Sequence, residues 1–192
     1  SLVGSEMCIR DRLIAAMSQS LETPTYKLIQ KFEKFEIRDY GTVITAKTTV
    51  NSDFRTSTYT GFSRVANYIF GGNSKEMKIA MTAPVITQIS EDNSKTHVIH
   101  FVMPSKHNLD TLPNPNLQNV NVHKESLGVV AAFKFGGWAT EKRSKKFINI
   151  LMQKLGENNI EIVGDIRVAQ YDGPTTIPPF RKNEILIPVK MN

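Results

Sequence analysis

The chain lacks the residues on which most disulfide-stabilised and metal-stabilised proteins depend. Its single cysteine, Cys8, excludes an internal disulfide and any cysteine-based metal site. The four histidines show neither an HExxH motif nor a paired spacing on a helix, so we expect no metal site. No stretch approaches the ~20 apolar residues that a membrane helix needs, so we expect a soluble chain without a membrane span.

Motifs of nucleotide binding and of nucleophilic catalysis are also missing. The sequence has no glycine-rich phosphate loop followed by Lys-Ser or Lys-Thr, no nucleophile elbow and no dinucleotide fingerprint. The glycine pairs at 71–72 and 136–137 are better explained as punctuation beside helices. Asp165 and Asp172 lack a partner at a spacing suited to paired acid–base work. No catalytic residue is therefore predicted, and we do not expect an enzyme.

The composition suits one folded domain with a basic surface. Hydrophobic residues make up 40% of the 192 residues, enough for a core, and the formal net charge is +6. A basic balance can attract nucleic acid, a membrane surface or a carboxylated ligand. The densest basic run, residues 141–146, lies on the polar side of a predicted helix, whereas the neighbouring aromatic residue falls on its apolar stripe. Nucleic-acid binding needs exposed aromatic residues between the basic ones, so we expect no nucleic-acid partner.

Residues 61–85 have the pattern of a helix, a glycine stop and a strand in succession. Apolar residues recur at helical spacing on one face until the chain reaches residues 71–73, Gly-Gly-Asn. Glycine and asparagine tolerate the left-handed conformation that closes a helix, so the helix is predicted to end there. From residue 79 to 85 the apolar period changes to two, which predicts a strand with one face on a core. Pro84 cannot donate to a neighbouring strand, which indicates an edge or a bulge at that position.

Similar patterns along the whole chain predict an α+β fold built from two similar ββαββ halves. The first half is expected to contain a helix at 54–70 and strands at 34–40, 42–50, 77–89 and 95–103. The second half is expected to contain a helix at 139–155 and strands at 119–125, 127–135, 164–171 and 184–190. This layout predicts a curved antiparallel sheet or barrel with both helices packed on its outside.

Four segments, in this order and spacing, resemble the SOUL haem-binding protein family. They are YKLIQKFEKFEIRDYG (26–41), GFSRVANYIFGGNSKEMKIAMTAPV (61–85), FVMPS (101–105) and YDGPTTIPPFRKNEILIPV (171–189). The resemblance covers roughly residues 22–190. It implies a distorted eight-stranded antiparallel β-barrel flanked by two helices, in agreement with the layout read from the patterns.

The first sixteen residues, SLVGSEMCIRDRLIAA, match nothing in that family and lack the roughly 7–15-residue apolar core of a signal peptide. We expect residues 1–16 to be a non-native or disordered extension and residues 17–192 to form a single SOUL haem-binding domain. A natural start at Met17 leaves no targeting segment, which suits a cytoplasmic protein. The alternative is that residues 1–16 are native and that a transit peptide has been lost.

The resemblance also implies a haem or tetrapyrrole site between the first helix and the loop before the last strand. Haem requires a broad apolar slot and cations at its rim for two propionates, and arginine can bind a carboxylate through two hydrogen bonds. The residues expected to form this site are Phe62, Arg64, Val65, Ala66, Ile69, Phe180, Arg181 and Lys182. Asn67 stands where some relatives carry lysine, which weakens one propionate contact.

None of the histidines lies on the first helix, so the resemblance implies non-covalent binding with weak or absent axial ligation of iron. Metal-free porphyrin should then bind with similar affinity, and the predicted function is a cytoplasmic carrier or buffer for haem or another tetrapyrrole. Two alternatives stay open. One is an enzyme that removes the metal from a tetrapyrrole or degrades its ring, which turnover of bound ligand would reveal. The other is a ligand-free module that binds a protein partner, which a fully packed groove beside Arg64 would favour.

Overall fold

A computed structural model describes residues 21–89, 95–173 and 175–191. These residues form ten strands, two α-helices and one short 3₁₀ helix. Within these ranges, neither α-helix is long and apolar enough to cross a membrane. The expectation for residues 1–16 lies outside the described residues and stays a prediction.

Each half of the chain contributes one helix and five strands. The first half contains β1 (Lys27–Lys31), β2 (Glu36–Asp39), β3 (Thr42–Asn51), α1 (Phe54–Ile69), β4 (Val85–Ile89) and β5 (Thr96–Val102). The second half contains β6 (Asn121–Ser126), β7 (Val129–Gly136), α2 (Glu141–Glu157), β8 (Glu161–Ile162), β9 (Ile166–Gln170), the 3₁₀ helix Pro178–Phe180 and β10 (Lys182–Lys190). When the extra strands β1 and β8 are set aside, each half has the predicted ββαββ order, so the two-half α+β architecture is confirmed.

Corresponding positions of the two halves adopt the same local structure. Gly41 and Gly128 form the turns between the first two main strands of their halves, with φ angles of +59° and +60°. Glycine adopts this left-handed conformation without a steric penalty. Both helices begin at a residue whose side-chain oxygen accepts a hydrogen bond from a first-turn amide, Asp53 before α1 and Thr140 before α2. The repeated turn and cap explain why both halves fold in the same way.

The strands form one antiparallel sheet in the order β1-β2-β7-β10-β9-β4-β5-β3-β6, with β8 paired to β10. The halves exchange their first main strands: β2 of the first half pairs with β7 of the second, and β6 of the second half pairs with β3 of the first. In the part of the chain that the structure describes, the sheet ends at β1 and β6 and does not close. The expected eight-stranded barrel is therefore an open, barrel-like sheet of ten strands.

Both helices cover the same face of the sheet. Helix α1 packs on β3 and β5, and α2 packs on β7, β8 and β10. Leu151 and Leu155 of α2 are fully buried against Ile185 and Ile187 of β10, a burial that stabilises the fold by about 1.5–3 kcal/mol per large apolar side chain. Alternate residues of the same strands point to the opposite side, which we call the helix-free face.

The connection between α1 and β4 differs from the prediction. The strand expected at 77–89 begins only at Val85, directly after Pro84, which has no N–H for a ladder. Gly71 has a φ of +114°, as expected at a helix end, but Asn73 does not have a positive φ. Instead, the buried side chain of Asn73 hydrogen-bonds the main chain on both sides of the turn.

Candidate functional site

A cavity of about 660 Å³ lies between the N-terminal segment and the ends of β2, β7, β9 and β10. We call it the tyrosine pocket, because three tyrosines line it together with charged side chains. Its principal lining residues are Tyr26, Arg38, Tyr40, Lys134, Tyr171, Arg181, Lys182 and Glu184.

Arg38, on the helix-free face of β2, forms the floor of the tyrosine pocket and is only 1% exposed. Its guanidinium donates to Glu36 at 2.6 Å and to Tyr40 at 3.1 Å. Two of its nitrogens also lie 3.0 Å from the two carboxylate oxygens of Glu184. Burial alone would lower the pKa of Arg38, but its contacts with Glu184 and Glu36 outweigh burial and raise the pKa. Arg38 is therefore a fixed cation at the floor.

Glu184 reaches the same floor from β10 and is shared by two partners. The Tyr171 hydroxyl donates to Glu184 Oε2 at 2.6 Å, the same oxygen that accepts from Arg38 Nη1. Burial and the neighbouring Glu184 carboxylate raise the pKa of Tyr171, and burial also raises the pKa of Tyr40. Both phenols therefore keep their protons at neutral pH.

The N-terminal segment forms one wall of the pocket. The Tyr26 ring lies over the guanidinium of Arg38, with 4.4 Å from Cζ to the ring centroid, which is a cation–π contact. Upstream, the Glu22 carboxylate accepts a hydrogen bond from the Ser105 amide at 2.7 Å. The Ala83 amide donates to the Glu22 carbonyl at 2.8 Å. These contacts hold the wall in place.

Basic side chains form the rim of the pocket. Arg181 is only 6% exposed, and its guanidinium stacks on Trp138 at 3.6 Å from the ring centroid. Two loop carbonyls, those of Thr176 and Gly173, accept hydrogen bonds from Arg181. Lys134 and Lys182 are exposed. With Arg38, the described lining carries four basic residues and one carboxylate, so the pocket is electropositive.

A second, shallower cavity of about 350 Å³ lies on the outer side of α1, and we call it the α1 groove. Arg64 lines it together with the exposed side chains of Tyr59 and Leu117. The Arg64 guanidinium donates to the Thr49 carbonyl at 3.0 Å, which ties it to β3. The groove is open and shares no lining residue with the tyrosine pocket.

The structure distributes the predicted site residues over three environments. Arg181 and Lys182 line the tyrosine pocket, and Phe180 beside them is 69% exposed. Arg64 lines the α1 groove. The apolar residues Val65, Ala66 and Ile69 are buried beneath α1, and Phe62 is half-buried against Phe101. Their contact with a ligand stays a prediction.

The sequence prediction missed Arg38, Glu184 and the tyrosines, although a local signal was present for Glu184. Glu184 directly precedes the apolar run of β10, whereas Arg38 falls on the polar phase of the alternation in β2, where an exposed side chain is the ordinary expectation. A charged residue within a buried strand is seldom left unpaired. The two residues are 146 positions apart, however, and nothing local shows that they meet.

A second charged cluster lies elsewhere on the helix-free face. His100 Nδ1 of β5 is 3.3 Å from Glu125 Oε2 of β6, and Thr45 donates to the same carboxylate at 3.0 Å. His97 and His100 lie on opposite faces of β5, yet both are buried. Interaction with His100 lowers the pKa of Glu125 from 4.5 to about 2.

The lowered pKa predicts an acid-sensitive contribution of Glu125 to stability. Because the folded-state pKa lies below the ordinary value, the contribution is complete above about pH 4.5 and is lost as pH falls towards about 2. Glu125 is partly solvent-exposed, so we expect a loss of only about 1–2 kcal/mol. Urea unfolding at pH 6 and pH 3 should show a smaller acid-induced loss in Glu125→Gln than in the wild type. An equal loss in both proteins would contradict the assignment.

Solved structures share this fold at low sequence identity. The C-terminal domain of EcmrR matches with a TM-score of 0.62 and 14% identity, over 86% of this chain and 98% of that structure. A hydrolase from Listeria innocua matches with a TM-score of 0.59 and 9% identity, over 84% of this chain and 94% of that structure. At these identities the similarity defines the fold class and nothing about activity.

The chain belongs to the SOUL heme-binding protein family, whose model matches residues 21–188. Heme-binding protein 2 of Homo sapiens is 30% identical over 182 residues, covering 88% of this chain and 87% of that protein. Heme-binding protein 2 of Mus musculus is 30% identical over 148 residues, covering 72% of each chain. The family predicted from four sequence segments is therefore confirmed.

Proposed function

We propose that the protein binds haem or another tetrapyrrole non-covalently in the tyrosine pocket and acts as a cytoplasmic carrier or buffer. Membership of a haem-binding family supports the ligand class. The observation that favours this pocket is its combination of size, aromatic lining and excess positive charge. Its volume of about 660 Å³ falls within the range of about 300–1,000 Å³ that is usual for small-molecule sites.

The rim of the pocket suits the carboxylate substituents of a tetrapyrrole. Arg181 and Lys182, two of the three predicted cations, lie there with Lys134. The exposed ring of Phe180 is adjacent in the chain and can cover the face of a flat ligand. The α1 groove offers about half this volume, and Arg64 is the single cation among the described residues that line it. The tyrosine pocket is therefore the stronger site.

Weak or absent axial ligation of iron is part of this proposal. Among the described residues that line the pocket, none is histidine, methionine or cysteine. A tyrosinate ligand would require loss of the phenol proton, which the raised pKa of Tyr171 and of Tyr40 opposes. Metal-free protoporphyrin should then bind about as tightly as haem, because hydrophobic burial and carboxylate contacts provide the affinity.

A titration with haemin and with protoporphyrin IX, followed at the Soret band, tests the function and the site together. We expect saturable 1:1 binding of both ligands to the wild type. Arg181→Ala/Lys182→Ala should weaken both by at least about tenfold, since charge-assisted contacts contribute about 1.5–3 kcal/mol each. Arg64→Ala, which removes the predicted cation outside this pocket, is the matched control and should change little.

The outcomes separate the alternatives. Weakening by Arg64→Ala alone would move the site to the α1 groove. No saturable binding of either ligand would contradict the tetrapyrrole function. A carrier should leave the absorption spectrum of the bound ligand unchanged over hours and release the ligand intact to a higher-affinity acceptor. Progressive change of the bound ring or loss of its metal would instead indicate an enzyme.

A further inference from the structure

We infer that Arg38 determines which ligand charge the tyrosine pocket accepts: by cancelling the charge of Glu184, it allows anionic aromatic ligands to bind. The inference rests on the proposed function for the identity of the natural ligand, a tetrapyrrole with carboxylate substituents. It assigns the charge preference of the pocket to one buried side chain, which lies below the rim cations.

Glu184 is the one carboxylate among the described residues that line the pocket. It is almost fully buried, so water screens its charge poorly and the charge acts strongly on a ligand bound beside it. Tyr171 donates a hydrogen bond to this carboxylate, but a neutral phenol leaves the charge in place. Without Arg38, the floor would repel carboxylates and attract flat aromatic cations.

Arg38 opposes this charge with a two-pronged contact. Two guanidinium nitrogens lie 3.0 Å from the two oxygens of Glu184, the geometry of a strong arginine–carboxylate pair. Glu36 and the Tyr26 ring fix the guanidinium from other sides. Glu36 also lies 4.0 Å from Lys134, so Arg38 and Lys134 together offset the two carboxylates. Arg181 and Lys182 of the rim then decide the charge preference of the whole pocket.

The other half of the fold shows that the sheet does not itself require an arginine at this place. Arg38 pairs across the ladder with Val130 of β7, and Glu125 pairs with Val43 of β3 at the corresponding place. There the first strand supplies the carboxylate, and His100 supplies the basic partner. The sheet thus accommodates either a positive or a negative side chain on the first main strand of a half. The reason for an arginine at position 38 therefore lies in the pocket.

The test compares an anionic and a cationic flat ligand on charge variants of the full chain. The ligands are protoporphyrin IX, which carries two carboxylates, and ethidium, an aromatic monocation.

Glu184→Gln removes the carboxylate and should tighten protoporphyrin binding by about threefold or more. Arg38→Met exposes the charge of Glu184, so it should weaken protoporphyrin by at least about tenfold and create ethidium binding. The double variant Arg38→Met/Glu184→Gln should return towards the wild-type preference. Arg64→Met, which removes an arginine outside this pocket, is the matched control and should leave the preference unaltered.

Glu184→Gln and Arg38→Met are predicted to change the affinity for protoporphyrin in opposite directions, which makes the outcomes decisive. Arg38→Met loses one partner of a buried pair and can fail to fold; Glu184→Gln and the double variant then still carry the test. Wild-type ethidium binding as tight as that of Arg38→Met would overturn the inference. So would a weakening of protoporphyrin binding by Glu184→Gln. If the wild type binds no protoporphyrin, the proposed function fails, whereas the ethidium measurements still decide the role of Arg38.

Discussion

Replacement of Asn73 by alanine is expected to lower the free energy of unfolding by at least about 3 kcal/mol. Asn73 is 1% exposed, and its side chain holds the turn that follows α1. Its Nδ2 donates to the carbonyls of Tyr68 at 2.9 Å and Met77 at 2.8 Å. Its Oδ1 accepts from the amides of Lys75 at 3.2 Å and Met77 at 3.0 Å. Alanine removes all four bonds and leaves buried main-chain groups without partners.

Urea unfolding of Asn73→Ala and of a matched surface variant measures this effect. Asn119→Ala removes the same side chain from an exposed position and should change stability by less than about 0.5 kcal/mol. Asn73→Asp keeps the acceptor but turns a carboxylate towards two carbonyls, so it should also be strongly destabilised. A loss below about 1 kcal/mol for Asn73→Ala would show that the turn does not depend on this side chain.

The role of Asn73 illustrates what the sequence pattern could and could not predict. The Gly-Gly-Asn stop correctly marks the helix end, because Gly71 adopts the expected positive φ. The pattern assigned Asn73 the same backbone role, whereas the structure gives it a side-chain role. Capping preferences are local and visible in sequence, but four hydrogen bonds to the surrounding turn depend on how that turn folds.

The missed strands have a similar explanation. All five residues of β1 are exposed, so β1 shows no alternation of buried and exposed positions. Strand β8 has only two residues, too few for any period. The longer strands β5, β7 and β10 each contain several buried residues, so their apolar content marks them in the sequence. Apolar patterning therefore detects strands that bury side chains and misses those that join the sheet by main-chain pairing alone.

The site was predictable only where its residues are close together in the chain. Arg181 and Lys182 were expected as ligand contacts and do line the tyrosine pocket. Their grouping with Arg64 came from a resemblance, and the structure places Arg64 in a separate groove. The floor pair, Arg38 and Glu184, forms because the halves exchange their first main strands, which places β2 beside β7 and one strand away from β10. No local pattern contains that exchange.

Gly61→Ala is the second change for which we expect a large effect, a loss of about 2 kcal/mol in the free energy of unfolding. Gly61 lies in α1 where the helix passes over Ile99 of β5. An added Cβ would lie 2.6 Å from Ile99 Cβ and 2.7 Å from its Cδ1, well inside van der Waals contact. Alanine favours a helix interior by up to about 1 kcal/mol over glycine, but this gain is smaller than the cost of the overlap.

Gly156→Ala in α2 is the matched control, because an added Cβ there meets nothing within 4 Å. The same substitution should therefore stabilise the protein by about 0.5–1 kcal/mol at position 156 and destabilise it at position 61. In the background of Ile99→Ala, which removes the nearby Cγ1 and Cδ1 atoms, Gly61→Ala should cost less by at least about 0.5 kcal/mol. Additive losses, or stabilisation at both glycines, would show that α1 does not pack this closely.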